Sequence, residues 1–530
     1  MYGFSVSKEG IITDNFYKQL GFYEEPNPQG AYVIIRKTEN EIIINQDFCG
    51  CYGLYYFENI KENYFALSNS FLLLEEYLVG RQNFSINKDF TDNFLISGLC
   101  SPSIKETLIN EIKEIPSNAI IKINIRRKQI KFLYKDYQEN TIPYDSKQGL
   151  KIIDNWVDKW GYIFRSLKNK TDNLSFQLSG GFDTRTLFSI LISSGIDLNK
   201  INIQSNNNSI TPFLEDFKIA SSISSKYKFK LNKLSLDERS TRWSLNDTLF
   251  CSIYPKLGFH KSFYWKDRFY NFPRFIFTGF GGENIRGYPG YPIEQYIKYF
   301  SSQGKKIVGF GNLFYNSSMK FFKRNIDLLK KRKKYKNNYE ISSDLYFNGR
   351  TRNHFGKVIV EGFIANIYYI NPIMDPEIKK IKFNINGKWS HDLIAYIYTR
   401  FAHDLIYFPF EGKRVINYKS IQKAEKLNKK TKNYKTKSNL NINFFIDFKR
   451  QSPAAQFINH NNIENHLKKL FKTTKFIRNV NKLYNNSIYN WAEEYSKNTS
   501  FFPLRQFYGL LAIEKAVEYL TLNEKYMIKN

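Results

Sequence analysis

The chain has 530 residues, 42% of them hydrophobic, with 47 Phe and 38 Tyr. This apolar content excludes an intrinsically disordered chain, and the length predicts about two to four domains. The formal net charge of +30 predicts attraction of anions such as nucleotides, phosphates, acidic sugars, nucleic acid or an anionic membrane. The alternative is a compositional origin, because Lys, Asn, Ile, Phe and Tyr are abundant together, as in AT-rich genomes.

The first part of the chain, to about residue 140, is predicted to be mostly strand. Short segments rich in β-branched and aromatic residues alternate there with turn residues. Strands are predicted at 31–36 (AYVIIR), 41–45 (EIIIN), 52–57 (YGLYYF), 64–68 (YFALS), 119–125 (AIIKINI) and 129–134 (QIKFLY). The last two form a predicted hairpin across the polar turn 126–128, and residues 70–78 are a predicted helix.

A second pattern begins near residue 145, where strands and helices alternate. Helices are predicted at 148–167, 183–193 and 214–226, and strands at 173–178, 200–205 and 274–278. This alternation predicts a mostly parallel sheet flanked by helices. The strongly basic stretches 323–336 and 419–437 are interpreted as solvated surface, with an anion-binding flap as the alternative.

The four cysteines are Cys49, Cys51, Cys100 and Cys251. The pair at 49 and 51 is too tight for the usual metal knuckle, and no second Cys or His pair has zinc spacing. We therefore expect free thiols and a cytoplasmic protein. The N-terminal sequence does not resemble a signal peptide, and no run of about 18 apolar residues predicts a membrane span.

An apolar strand that ends in Ser-Gly-Gly, directly before a helix, is the strongest signal in the sequence. Residues 176–185 read FQLSGGFDTR. Glycines let backbone amides approach an oxyanion, a helix N-terminus adds partial positive charge, and Asp183 can hold Mg²⁺ beside phosphate oxygens. An ordinary strand–turn–helix connection is the alternative. The candidate nucleotide-binding residues in this segment are Leu178, Ser179, Gly180, Gly181, Asp183 and Thr184.

A second glycine-rich segment, residues 278–284 (TGFGGEN), follows the predicted strand RFIF. Thr278 and Gly279 are candidate nucleotide-binding residues, since a glycine-rich strand end again allows close approach to phosphate. Glu283 is a candidate second carboxylate for the metal at Asp183. A glycine-rich loop with no ligand is the alternative.

These segments resemble a known family. Residues 176–185 are similar to the pyrophosphate loop of the ATP-pyrophosphatase superfamily, whose pattern is SGGxDS. Residues 278–284 resemble the asparagine synthetase segment SGxGADE, with Glu283 in place of the family's Asp, and Gly287 and Tyr288 match its closing Gly-Tyr. Residues 371–375 (NPIMD) resemble the family's PFLD segment.

The stretch 400–414 (RFAHDLIYFPFEGKR) resembles the one that ends in the family's catalytic lysine. By its spacing from Asp375, the resemblance implies Lys413 as that residue. Its ammonium would neutralise charge on the α-phosphate and the tetrahedral intermediate. The alternative is a surface lysine in a Lys-rich chain.

The N-terminal region resembles the family's amidotransferase-type domain at residues 47–50, 55–56, 65–70 and 114–118. The resemblance covers residues 1–415 and implies a two-domain α/β protein. Residues 1–145 would form a degenerate, Ntn-type α+β sandwich like that of class II glutamine amidotransferases. Residues 146–530 would form a parallel-sheet ATP-pyrophosphatase domain, in which 415–530 diverge.

Two departures from the family restrict the expected chemistry. Glutamine-using members expose a cysteine after removal of Met1, whereas residue 2 here is Tyr, so we expect no glutaminase activity. The related β-lactam synthetases activate an internal amine with a Tyr–Glu dyad. The matching positions here, Phe280 and Tyr368, form no such dyad. The acceptor would be ammonia, an amine that is already basic, or one activated by another residue.

The resemblance implies an ATP-dependent, AMP-forming carboxylate–amine ligase that makes an amide through an acyl-adenylate. The expected partners are ATP, Mg²⁺, a small carboxylate substrate and ammonia or an amine, with a homodimer as the candidate assembly. A uronic-acid-bearing sugar of surface-polysaccharide synthesis is the suggested substrate. The alternatives are a degenerate binding homologue without catalysis and an RNA-modifying ATP-pyrophosphatase, although we expect no stable nucleic-acid complex.

Overall fold

The structure is a computed structural model that describes residues 2–6, 10–13, 29–97, 100–117, 119–127, 129–134, 142–207, 211–234, 272–283, 291–304, 311–364, 366–382, 391–431, 443–445, 484, 510, 512–514 and 516–520. These residues form helices, one five-stranded parallel sheet and mainly antiparallel sheets of seven and three strands. The predicted mixed α/β class is therefore confirmed. The assignment of the two halves to particular domain types stays a prediction.

The described strands, in chain order, are β1 (Tyr2–Val6), β2 (Gly10–Thr13), β3 (Gln29–Lys37), β4 (Glu41–Gln46), β5 (Tyr55–Asn59), β6 (Tyr64–Ser68), β7 (Lys113–Glu114), β8 (Ala119–Asn124), β9 (Gln129–Tyr134), β10 (Ile142–Pro143), β11 (Leu174–Gln177), β12 (Asn202–Asn206), β13 (Asn232–Leu234), β14 (Arg274–Phe277), β15 (Ile367–Ile370), β16 (Ile381–Lys382) and β17 (Asn443–Phe445).

The described α-helices are α1 (Phe71–Leu78), α2 (Lys88–Ile96), α3 (Lys147–Lys170), α4 (Phe182–Ser193), α5 (Thr211–Tyr227), α6 (Ile293–Gly304), α7 (Gly311–Arg332), α8 (Asn338–Leu345), α9 (Lys357–Ile364), α10 (Pro376–Lys379), α11 (Asp392–Phe401) and α12 (Tyr418–Lys430). A π-helix (Tyr346–Gly356) joins α8 to α9. No helix in the described part of the chain is both long and apolar enough to cross a membrane.

Two sheets face each other in the N-terminal part. The larger has the order β17-β2-β1-β3-β4-β8-β9 and is antiparallel except where β17 runs parallel to β2, and the smaller has the order β6-β5-β7. Val33, Ile44 and Ile121 of the larger sheet form one core with Leu54 and Tyr56 at the smaller. Alternating side chains on the inner faces thus hold the two layers together.

The predicted strand at 52–57 is wrong at its start, because β5 begins only at Tyr55. The preceding residues form a turn around the Asp47 carboxylate, which accepts hydrogen bonds from the amides of Cys49 (3.1 Å), Cys51 (2.8 Å) and Tyr52 (2.9 Å). Gly50 and Gly53, with φ of 65° and 71°, supply the left-handed conformations that the turn needs. The side chains of Cys49, Cys51 and Cys100 are buried, and Cys251 lies outside the described residues.

The five-stranded sheet is entirely parallel and has the order β13-β12-β11-β14-β15. The chain runs outward from β11 through β12 to β13, and then continues at β14 on the opposite side of β11. The strand order therefore reverses between β11 and β14. In open parallel sheets, ligands bind outside the carboxyl ends of the strands at such a switch point.

Helix α3 covers one face of this sheet. The Ser146 hydroxyl begins the helix by accepting a hydrogen bond from the amide of Gly149 at 3.0 Å. The ring of Phe164 stacks on Phe277 of β14 with centroids 3.7 Å apart, and the large side chains Trp156 and Trp160 are almost fully buried. This packing fixes the strands that end at the switch point.

Several contacts join the N-terminal and C-terminal parts of the chain. The fully buried guanidinium of Arg352, in the π-helix, donates to the carbonyls of Ser103, Ile104 and Ile115 and pairs with Glu114 at 3.0 Å. Strand β17 extends the N-terminal sheet. Elements from both sides of residue 145 share sheets and a hydrophobic core. The domain boundary predicted at residue 145 stays a prediction.

Glu75, on α1, is fully buried, and within the described part of the chain neither of its carboxyl oxygens has a hydrogen-bond partner. Burial raises the pKa of Glu75 well above its ordinary value. Its contribution to stability is therefore complete below about pH 4.3, the pKa of an unfolded-chain Glu, and is lost as the pH rises toward the native pKa. We expect Glu75→Gln to raise the free energy of unfolding relative to wild type by about 1–3 kcal/mol at neutral pH and by little at pH 4.

Urea unfolding of wild type and Glu75→Gln at both pH values measures this difference. The neighbouring Glu76 is exposed, so Glu76→Gln is the matched control and should show no such pH-dependent gain. A difference between Glu75→Gln and wild type that stays the same at pH 4 and pH 7 would contradict the prediction.

Candidate functional site

The segment between β11 and α4, residues 178–181, forms a loop held by its own hydroxyl groups. The Ser179 amide donates to Thr184 Oγ1 at 3.0 Å, and the two hydroxyl oxygens are 2.9 Å apart. The Gly181 amide donates to Ser179 Oγ at 3.1 Å. These bonds give a local reason for Ser at 179 and Thr at 184. Gly181 is the N-cap of α4 and has no side chain to cap the first-turn amides.

Gly180 packs directly against helix α5. A Cβ atom at this position would lie 2.7 Å from Asp216 Oδ1 and 2.8 Å from Ile219 Cδ1. The Gly180 amide donates to Asp216 Oδ1 at 2.8 Å. Burial, together with the negative charge of Glu411, raises the pKa of Asp216 to about 6. A carboxylate that changes charge near neutral pH therefore contacts the loop.

The second glycine-rich segment turns back on itself after β14. The Gly282 amide donates to the Gly279 carbonyl at 3.2 Å, and Gly281 has a φ of 81°. A Cβ at Gly279 would lie 2.7 Å from the backbone nitrogen of Thr184, and one at Gly282 would lie 2.3 Å from Asp183 Oδ1. The structure thus brings the two glycine-rich segments into contact at the switch point.

The two candidate metal-binding carboxylates belong to these adjoining segments. Asp183 lies in the first turn of α4, against Gly282, and Glu283 is the next residue after that glycine. The described part of the chain has no group of three or more His, Cys, Asp or Glu side chains arranged around a metal position. Two carboxylates still fit Mg²⁺, because that ion takes its other ligands from water and substrate phosphates. Gly287 and Tyr288 lie outside the described residues.

Lys413 lies in a short turn (Glu411–Lys413) that packs beside the start of α4. The ring of Phe410 stacks on Phe182, the first residue of α4, with centroids 3.7 Å apart. The Phe410 amide donates to the Arg414 carbonyl at 2.9 Å, which closes the turn. Lys413 is exposed and has a φ of 56°. The turn is thus next to the phosphate-loop helix, with the lysine side chain in solvent.

Helix α5 also holds this turn. The Gly412 amide donates to Glu215 Oε1 at 2.9 Å, one residue before Asp216, which binds the Gly180 amide. Adjacent carboxylates of one helix therefore hold both the loop after β11 and the turn that carries Lys413.

Asp375 is a structural residue. It is 1% exposed, its Oδ1 accepts a hydrogen bond from the Glu377 amide at 2.9 Å, and its Oδ2 accepts from Lys159 Nζ at 2.7 Å and Trp160 Nε1 at 2.8 Å. It therefore anchors the chain after β15 to α3.

Phe280 and Tyr368 lie in different aromatic clusters. The ring of Phe280 packs on Phe355 (5.3 Å between centroids) and Tyr369 (5.5 Å), whereas Tyr368 packs on Phe4 (5.2 Å) and Phe275 (5.1 Å). These contacts give no Tyr–Glu pairing between the two positions, as expected from their residue types.

Two residues at the site were missed from the sequence. Arg185 follows the glycine-rich motif directly and is fully buried, and Asp216 contacts the motif from α5. A sequence signal existed for Arg185, since a charged residue interrupts the otherwise apolar face of α4. Asp216 gave no signal, because its role depends on how α5 packs.

No protein-family model matches the chain, and a comparison with curated proteins gives no match either.

Proposed function

We propose that this protein is an ATP-dependent, AMP-forming carboxylate–amine ligase similar to asparagine synthetase. The observation that carries the proposal is the contact of two glycine-rich strand ends across the β11–β14 switch point, where Asp183 lies against Gly282. Phosphate groups bind at such strand ends, because glycines allow close approach and the helix N-terminus is partially positive.

The proposed reaction has two steps. A substrate carboxylate oxygen attacks the α-phosphorus of ATP, an O–P bond forms, and pyrophosphate leaves with the electron pair of the broken P–O bond. An amine then attacks the acyl carbon, the C–O bond to AMP breaks, and the amine nitrogen loses a proton as the amide forms. The start of α4 would hold the pyrophosphate.

Asp183 and Glu283 would hold Mg²⁺, which neutralises phosphate charge when bound. The Lys413 ammonium would stabilise negative charge at the α-phosphate. The basic net charge of the chain, +30, supports an acidic substrate. A uronic-acid-bearing sugar is the substrate we propose to test first.

Pyrophosphate release from ATP, measured with a panel of carboxylates and with ammonia or simple amines, tests the proposal. Calorimetry of ATP with and without Mg²⁺ supplies an independent measure of binding. ATP-Mg binding without pyrophosphate release from any substrate would favour a non-catalytic binding homologue. Undetectable ATP-Mg binding would overturn the proposed site.

The charge of Asp216 gives a pH-dependent prediction. Because its pKa is raised to about 6, this carboxyl is neutral below and negative above that pH, next to the Gly180 amide. Its negative charge should repel bound phosphate, and Asn would keep an acceptor oxygen for the amide without the charge. At pH 8 we expect Asp216→Asn to bind ATP-Mg about 3- to 10-fold more tightly than wild type, a difference of about 0.7–1.4 kcal/mol.

At pH 5 the two proteins should bind equally, because wild-type Asp216 is then protonated. The titration of ATP itself is common to both and cancels in the comparison. The control is Asp172→Asn, an exposed carboxylate just before the opposite end of β11, which should behave like wild type at both pH values. Equal affinities of Asp216→Asn and wild type at pH 8 would refute the prediction.

A further inference from the structure

The guanidinium of Arg185 is buried beneath the loop that follows β11. The residue is 0% exposed, and its Nη2 donates to the Gly180 carbonyl at 2.9 Å and to the Pro409 carbonyl at 2.7 Å. Its Nη1 donates to the Phe408 carbonyl at 2.9 Å. One planar group therefore binds the backbone of the phosphate loop and the backbone just before the Lys413 turn.

Burial of this cation is costly. It lowers the pKa of Arg185 to about 10, so the side chain stays protonated at neutral pH. The acceptors of its hydrogen bonds are neutral carbonyls, which offset the loss of water less well than a carboxylate would. The hydrogen bonds that offset this cost join two segments that are distant in the sequence.

The ring of Phe410 connects Arg185 to the turn that carries Lys413. The guanidinium carbon lies 3.8 Å from the centroid of the Phe410 ring, and that ring also stacks on Phe182 at the start of α4. The Phe410 amide closes the turn by donating to Arg414. Arg185 thus connects the Gly180 carbonyl to residues 408–410, which lead into the turn.

We infer that Arg185 is a positioning residue that couples occupancy of the phosphate loop to the placement of the Lys413 turn; this rests on the proposed function. Phosphate bound at the start of α4 orders the loop before that helix, Arg185 fixes residues 408–410 against the Gly180 carbonyl of the loop, and the turn then holds Lys413 for the adenylation step. An arginine suits this task because its fixed fork reaches carbonyls on two segments at once, whereas a lysine ammonium is a flexible point donor.

Hydrogen–deuterium exchange of the full chain, with and without ATP-Mg, tests the coupling. In wild type, ATP-Mg should slow exchange about tenfold or more both at residues 179–184 and at 408–414. In Arg185→Lys it should slow exchange at 179–184 only. The matched control is Arg165→Lys: Arg165 Nη1 also donates to a backbone carbonyl, that of Ser194 at the other end of α4 (2.6 Å), and this variant should behave like wild type.

Kinetics give a second readout that a purely structural role would not move selectively. With a working substrate, Arg185→Lys should lower kcat about tenfold or more while the KM for ATP changes less than about twofold. A purely structural role would instead weaken ATP binding and the protection of both segments together, and that result would overturn the inference.

The wild-type measurement separates the remaining outcomes even if Arg185→Lys fails to fold. Protection of 179–184 by ATP-Mg without any change at 408–414 overturns the inference and leaves the proposed function in place. Absence of protection at both segments overturns the proposed function and the inference with it. Protection of both segments in wild type and equally in a folded Arg185→Lys shows that another contact carries the coupling, and it rejects Arg185.

Discussion

Asp183→Asn should abolish ATP-dependent turnover, lowering pyrophosphate release by at least about 100-fold while the protein stays folded. The substitution keeps the size of the side chain and removes only the charge that would bind Mg²⁺. The fold should tolerate it, because Asp183 is half-buried in the first helical turn and lies outside the hydrophobic cores. Steady-state pyrophosphate release and thermal unfolding measure the two effects separately.

Gly282→Ala should reproduce that loss with the carboxylate still present. A Cβ at residue 282 would lie 1.9 Å from Asp183 Cγ, so the alanine must displace the carboxylate. Gly161→Ala in helix α3 is the control, since its new Cβ would approach the Ser194 side chain no closer than 3.3 Å. Turnover within about twofold of wild type in both Asp183→Asn and Gly282→Ala would remove the metal assignment.

Local structure was largely predictable from the sequence where a regular pattern of burial is present. The predicted helices at 148–167, 183–193 and 214–226 are confirmed by α3, α4 and α5, and the predicted strands at 64–68 and 129–134 match β6 and β9. In α3, for example, the buried residues Ile153, Trp156, Trp160 and Ile163 recur at the spacing of a helix.

Tertiary interactions explain where the predicted secondary structure was wrong. Residues 198–200 form a 3₁₀ turn, so the strand predicted at 200–205 begins only at Asn202. The first residues of the strand predicted at 52–57 instead belong to the Asp47 turn, which depends on one carboxylate and two left-handed glycines. The π-helix and the pairing of β17 with β2 depend on distant segments, so local sequence carries no signal for them.

The part of the candidate site that has a local sequence signature was predictable. Glycine-rich strand ends have a local signature, and the structure brings the two segments into contact. The order of the parallel strands, which creates the switch point, could not be derived from periodicity. The contacts of Arg185 and Asp216 depend on that order and on the packing of α5.

Lys413→Ala should lower turnover by about 100- to 1000-fold while the fold and ATP binding are kept, the usual cost of losing one fixed electrostatic contact to a developing charge. The attack of a carboxylate on the α-phosphate develops negative charge that an ammonium can stabilise. The turn that carries Lys413 packs against the first residue of α4 through Phe410, which places the turn beside the start of that helix. Steady-state kinetics with a working substrate and calorimetry of ATP measure the two quantities.

The backbone at this position requires a second variant. Lys413 has a φ of 56°, a left-handed conformation that strains lysine and alanine alike and that asparagine adopts more readily. If the ammonium is what matters, Lys413→Asn should lose as much activity as Lys413→Ala. If backbone strain in the turn causes the loss, Lys413→Asn should be clearly more active than Lys413→Ala.

Alanine variants of the nearby cations Arg414 and Lys419 serve as comparisons for Lys413→Ala. Arg414 donates to the Glu411 carbonyl at 2.9 Å and its guanidinium lies 5.4 Å from the centroid of the Phe182 ring, so it is occupied within the turn. Adjacent side chains also point in different directions, and Arg414→Ala should therefore cost less than Lys413→Ala. Lys419, exposed in α12, should be replaceable by Ala with little effect. Near-wild-type turnover in Lys413→Ala and Lys413→Asn would refute the assignment of the catalytic lysine. A large loss of turnover in Lys419→Ala would then assign the role to Lys419. Turnover that survives all three alanine variants would mean that none of these cations stabilises the charge at the α-phosphate.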